Sequence, residues 1–399
     1  MRYLFAILSL MFAFNACGHE EDAIQQKSTL EIGVVFDNTG NLWLASVKDG
    51  FVMVDVSKDL GKTFSMPVKV NQTPQKIDID GEVRPKIAIS SEGYIYLTWT
   101  EMLKAPFSSY VWFARSIDAG KTFEKPYIVH QDRAEITHRL VELNLTSNGN
   151  ITVSWVDARD LIALKAAGKK YAGEAIYYAV STNKGASFSP EHKLSESSCE
   201  CCRIATTNKP DGTVVAMWRY EFEGSERDYT IAEIPQKNEA PNLHRATFGH
   251  WKMDDCPHHG AAIANGGEGK DWWGYHMVYF DGNDFKPGLY YSRMDGVAWA
   301  SSPPKKIGDN TKLASHPAIL SISNEGGVEV VWLAWREIRD GKSSIIGMFS
   351  DDGGRSWNEA KTLASSSQET DYPILIQDKQ QPYLVWNIQQ EGLIVIALK

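Results

Sequence analysis

Basic charge, long apolar runs and nucleotide-binding loops are scarce or missing in this 399-residue chain. Lys and Arg number 41 against 50 Asp and Glu, a formal net charge of −9. With no basic stripe to displace counterions from phosphates, a nucleic-acid partner is excluded. The apolar run at residues 4–14 is too short for the roughly 20 residues that a membrane-spanning helix needs. The glycine-rich stretch at residues 266–269 is not followed by the Gly-Lys-Ser/Thr that would make it a phosphate cradle. Cysteine is also sparse, five in all, with neither a Cys-x-x-Cys-His haem motif nor a zinc-finger spacing.

Aromatics, by contrast, are abundant, with 13 Trp and 16 Tyr. They suit short, aromatic-rich strands around a large core. The N-terminus reads as an export signal: Arg2 precedes the short apolar run, and Phe14-Asn15-Ala16-Cys17 closes it. That closing tetrapeptide resembles the lipobox of bacterial lipoproteins. The resemblance implies a signal peptide over 1–16, lipidation of Cys17, and a polar lipidated tether over 17–28. A lipid anchor would then be the sole membrane contact. Gly18 after Cys17 implies sorting to the outer membrane of the bacterial cell envelope, so the remaining cysteines would face an oxidising compartment.

Residues 29–399 form one repetitive domain. Ser57, Asp59, Gly61, Thr63 and Phe64 recur at the same spacing as Ser116, Asp118, Gly120, Thr122 and Phe123. They recur again as Ser181, Asn183, Gly185, Ser187 and Phe188, and as Ser350, Asp352, Gly354, Ser356 and Trp357. A degenerate copy runs from Ser292 to Trp299. Each follows an alternating strand and reads as a hairpin turn, with Asp or Asn capping backbone N–H groups and Gly at positive φ. Upstream of the turns a second pattern repeats every 50 to 65 residues or so: a strand, a turn, and a strand ending near an aromatic such as Trp99, Trp155, Trp218, Trp335 or Trp386. The period is that of a four-stranded blade. These turns resemble the Asp boxes (BNR repeats) of sialidases and related β-propellers. The expected fold is therefore all-β, a single β-propeller of four-stranded antiparallel blades. Seven blades is the count and six the alternative. The last unit ends after three strands, so the segment around residues 24–30 is expected to supply the fourth and close the ring.

In a propeller, the starts of first strands and the ends of second strands meet around one channel mouth. Those positions hold Arg84, Arg139, Asp157, Arg159, Cys202, Arg203, Arg219, Glu221, His258, His259, His316, Arg336, Glu337 and Tyr372, the makings of a polar site. The sialidase resemblance implies a glycan or anionic ligand and a glycosidase reaction. Arg84, Arg203 and Arg336 would clamp a carboxylate, joined by Arg139 and His316 as ligand contacts. Tyr372 would be the nucleophile, Glu337 or Glu221 its base, and Asp157 the acid. Of the family's Arg-Ile-Pro signature, Val83-Arg84-Pro85 keeps the Arg but shifts the Pro. The rival expectation is a non-catalytic binding or assembly scaffold that presents loops to a protein partner.

Cys199, Cys201, Cys202 and Cys256 precede the first strands of consecutive units. An even count in an exported chain points to disulfides, Cys202–Cys256 with Cys199–Cys201. The alternative is a metal site in which these thiolates and His258 or His259 hold Cu or Zn. No cofactor is otherwise required.

Overall fold

A computed structural model describes residues 30–399 except 82, 170–172, 236–238, 254–258, 284–285 and 325. Seven antiparallel sheets follow one another along the chain, each in sequential strand order. The first strands of blades 1 to 7 are Gly33–Phe36, Lys86–Ile89, His138–Leu145, Ala205–Asn208, Ala262–Gly266, Ser315–Ser323 and Ile374–Asp378. Six sheets have four strands and the last has three, ending at Gly392–Ala397. One short helix, Arg159–Ala166, interrupts blade 3. The molecule is a seven-bladed β-propeller.

Blades pack face to face through clusters drawn from neighbouring sheets. The second strands, apolar on both faces, hold the largest fully buried side chains: Trp99, Trp155, Trp218, Trp335 and Trp386. Removing one such indole costs about 3–5 kcal/mol in a core. The ring closes by the same means. Val34, Phe36 and Leu42 of blade 1 pack against Tyr383 and Val385 of blade 7, with the Phe36 and Tyr383 rings 5.1 Å apart. Residues 24–29 of the expected closing strand lie outside the described residues.

The repeated turns link third and fourth strands. Ser57, Ser116, Ser181 and Ser350 pair with the beginnings of second strands, so these turns sit on the face opposite the channel mouth. Their networks agree almost bond for bond. Gly61, Gly120, Gly185 and Gly354 each donate a backbone N–H to the turn serine at 2.7–2.9 Å. Asp59 accepts from the Thr63 N–H and hydroxyl, Asp118 from those of Thr122, and Asp352 from those of Ser356. These bonds favour the carboxylate and hold Asp59 and Asp118 down at about 2.

Candidate functional site at the channel mouth

The first strands do line the channel. A cavity of about 290 Å³ is bounded by residues from all seven blades, Arg84, Arg203 and Tyr372 among them. A second cavity of about 300 Å³ shares Gly81 and Tyr372 with it and adds Asp80, Arg139, Cys201 and His316.

At the centre of this region His316 lies flat on Tyr372, ring centroids 3.4 Å apart and planes within 3°. A β-bulge positions the imidazole: the register of blade 6 shifts between Ser315 and Ala318, and His316 itself takes φ of 51°. Such a backbone is costly for a non-glycine residue, which makes the placement a built feature. Burial, then the charges of Arg203, His259, Arg336 and Arg84, hold His316 down at about 2. It is a neutral imidazole inside a cationic ring.

Three arginines expected at the clamp thus act on one imidazole from three blades. Arg84 donates only to the carbonyls of Ile32 at 3.4 Å and Gly81 at 3.0 Å. Arg336 donates to Ser343 Oγ at 3.0 Å and stands 5.9 Å from the Tyr372 ring centroid. Neither pairs with a carboxylate among the described residues. Arg203 donates to the carbonyls of Ala261 and Pro317 at 2.9 and 2.7 Å, bridging blades 5 and 6. Arg139 is different: Asp78 at 2.6 Å and Asp80 at 3.3 Å already neutralise it.

Asp157 and Glu337 occupy equivalent places in blades 3 and 6 and do equivalent work. Asp157 accepts from the Trp155 indole at 2.9 Å and from Arg159 at 2.7 and 2.9 Å. Glu337 accepts from the Trp335 indole at 2.7 Å, the Asp309 N–H at 2.9 Å and Arg339 at 2.8 Å. Both carboxylates are buried, and neither has Tyr372 among its partners. The repeated Trp-x-acid-x-Arg order is a strand-end lock. Glu221 is paired with Arg227 at 2.7 Å.

Two further carboxyls meet at the ring closure: Asp371, which the strand-end pattern also puts at the mouth, and Glu31, which that pattern does not mark. Asp371, the chain neighbour of Tyr372, accepts from the backbone N–H of Glu31 at 2.6 Å across the ring closure. Burial and Asp371 push Glu31 from 4.5 up to about 7, against the opposing pull of Arg84. Burial likewise raises Asp371. No local signal marks this pair, because its members are separated by the whole ring.

Cys199, Cys201 and Cys202 gather, but the expected Cys199–Cys201 bridge is not formed. Cys199 and Cys201 Sγ stand 3.5 Å apart, too far for the ~2.05 Å bond expected. With one residue between them, a bond would strain the loop. Cys256 and His258 lie outside the described residues. His259 stacks on Phe280 at 4.2 Å and approaches His316 at 5.4 Å.

No family model matches the chain, and no curated protein sequence resembles it. Among solved structures it is similar to a Hadza microbial sialidase, Hz136 (TM-score 0.51, 13% identity, 88% of this chain and 74% of that one). It is also similar to a polysaccharide lyase, a PL25 ulvan lyase bound to a GlcA(1-4)Rha3S repeat (0.55, 11%, 92% and 94%). A third is the leech intramolecular trans-sialidase complexed with 2,7-anhydro-Neu5Ac (0.50, 8%, 90% and 83%). At these identities the likeness is one of fold. The class is the seven-bladed β-propeller, and what this chain does has to come from its own residues.

Proposed function

We propose that the channel mouth binds the carboxylate of an acidic sugar. The observation that carries this reading is the cationic ring around His316, in which the hydrogen bonds of Arg84 and Arg336 go to backbone carbonyls and a serine hydroxyl. A planar guanidinium recognises a carboxylate in bidentate fashion, and the flat His316–Tyr372 pair offers an apolar face to a sugar ring. Two structural neighbours, the ulvan lyase and the leech enzyme, were solved with sugars of this kind bound.

Sialidase-like hydrolysis is the finer version of this proposal. Tyr372 is its nucleophile, since a neutral phenol avoids repulsion with an anionic sugar. Glu31, near neutrality in its proton affinity, replaces Asp157 as the proton donor. A fluorogenic sialoside assay of the wild type and Tyr372→Phe tests it. Turnover abolished by the substitution supports hydrolysis; no turnover by the wild type on sialosides and uronides retires it. Binding without turnover is the second reading, favoured by the engagement of Asp157 and Glu337 in strand-end locks. In either case the domain is held at the bacterial cell envelope by lipid on Cys17.

A further inference from the structure

Between the last strand of blade 3, which ends at Ser198, and the first strand of blade 4, which begins at Ala205, the chain turns three thiols inward. The Sγ atoms of Cys199, Cys201 and Cys202 form a triangle with sides of 3.5, 3.6 and 4.0 Å. All three side chains are buried. A point equidistant from these sulfurs lies about 2.1 Å from each, against ~2.3 Å for a zinc–thiolate bond. An ion seated slightly out of the sulfur plane would therefore reach all three without moving the loop. The loop is held in place: the Cys199 N–H donates to the Arg219 carbonyl at 3.0 Å and the Glu221 N–H to that of Ser197 at 2.7 Å.

Arg219 supplies an independent observation. It is 1% exposed, and its terminal nitrogens donate to the carbonyls of Arg227, His259 and Phe280 and to the Tyr229 phenol. No described carboxylate lies within ion-pair distance of it, and the Cys202 side chain is a hydrogen-bonding neighbour. A buried guanidinium without counter-charge is strongly unfavourable. Besides the Tyr229 phenol, the Cys202 and Cys199 side chains are among the groups close to it. Three thiolates held by one cation would place anionic sulfur beside this guanidinium.

We propose that Cys199, Cys201 and Cys202 together bind one thiophilic d10 cation, Cu(I) or Zn(II), as three thiolates at the junction of blades 3 and 4. Soft sulfur donors select these ions, and their binding releases the thiol protons. Cys201 also lines the cavity that holds His316, Tyr372 and Arg139, which places the site against the channel mouth. The proposal stands independently of the sugar reading.

The test uses the full-length chain, reduced under argon and loaded separately with Cu(I) and Zn(II) against competing chromogenic chelators. One ion retained per chain is expected, with all three cysteines protected from alkylation in the loaded state. Cys199→Ser, Cys201→Ser and Cys202→Ser should each weaken retention by roughly 100-fold. Retention of Cu(I) alone indicates a three-sulfur site, and retention of Zn(II) a site completed by a fourth ligand; both uphold the proposal. Three freely alkylated thiols with no retained ion, or a disulfide joining any two of the three in the wild type, would overturn it. Should a variant fold poorly, the alkylation pattern of the metal-loaded wild type decides by itself.

Discussion

The imidazole of His316 and the phenol of Tyr372 lie parallel, 3.4 Å between centroids, in the middle of the channel mouth. Blade 6 contributes one ring and blade 7 the other, so the pair exists only once these two blades have packed together. Burial first, and then Arg203, His259, Arg336 and Arg84, lower the proton affinity of this imidazole, which keeps the ring neutral across the physiological range. An acidic sugar placed there meets cationic charge around a neutral aromatic floor.

Gly81 faces this pair. Its φ is +51°, and a methyl group on it would come 3.1 Å from Tyr372 Cε2 and 3.2 Å from its hydroxyl. Gly81→Ala should therefore displace the phenol from His316 and add backbone strain of about 1 kcal/mol. The expected result is a roughly tenfold loss of affinity for acidic sugars with a thermal midpoint lowered by a few degrees at most, read by calorimetry and thermal melts.

Glu31 gives the site a pH dependence. Its carboxyl, at about 7 in the folded chain against 4.5 ordinarily, keeps its proton in the native state while the unfolded chain loses it. Native stability therefore falls as pH rises from about 4.5 through about 7, and is flat above that. Glu31→Gln should flatten this slope and stabilise the protein at pH 8 by on the order of 2 kcal/mol after solvent screening. Affinity for an anionic sugar should fall over the same interval in the wild type, and fall less in the variant. Denaturant titrations and calorimetry at pH 5, 6.5 and 8 check both.

Asp157→Asn and Glu337→Gln should act mainly on stability. Each leaves a partly exposed arginine and a buried indole N–H with a weaker partner, a change that should cost less than the ~3–5 kcal/mol of breaking a fully buried pair. Unfolding midpoints should drop while the affinity of the folded fraction for acidic sugars stays within about twofold. A large affinity loss with unchanged stability would return these carboxylates to the site.

The turns on the opposite face supply a contrasting set. Asp118→Ala removes bonds from the Thr122 N–H and hydroxyl and should lower the unfolding midpoint modestly, as loss of a capping side chain does. Ligand affinity should not change, since the turn is at the far end of its strand from the mouth.

The fold was legible because its signals are local and repeated. Ser116, Asp118 and Gly120 announce a turn within five residues, and the same order recurs in three other units. Trp99, Trp155 and Trp335 mark second strands because a buried indole belongs on a strand covered on both faces. The same logic placed Arg84, His316, Arg336 and Tyr372 at one mouth. It could not say which polar strand end has a partner. Asp157 and Glu337 look like catalytic acids in sequence, yet each is claimed by the tryptophan two residues before it and the arginine two residues after. Glu31 and Asp371 meet through a hydrogen bond spanning 340 residues, for which no local pattern exists. For the cysteines, spacing fixed their neighbourhood but not their inward convergence on a common centre.

The central claim, a carboxylate-binding channel mouth, is tested most directly by titrating the protein with N-acetylneuraminate and glucuronate, each against its methyl ester. The account predicts that at least one acid binds while its uncharged ester does not. It also predicts that Arg84→Ala and Arg336→Ala each weaken that acid by about 10- to 100-fold, as loss of a charge-assisted hydrogen bond does. Equal binding of acid and ester, or no effect of either substitution, would contradict it.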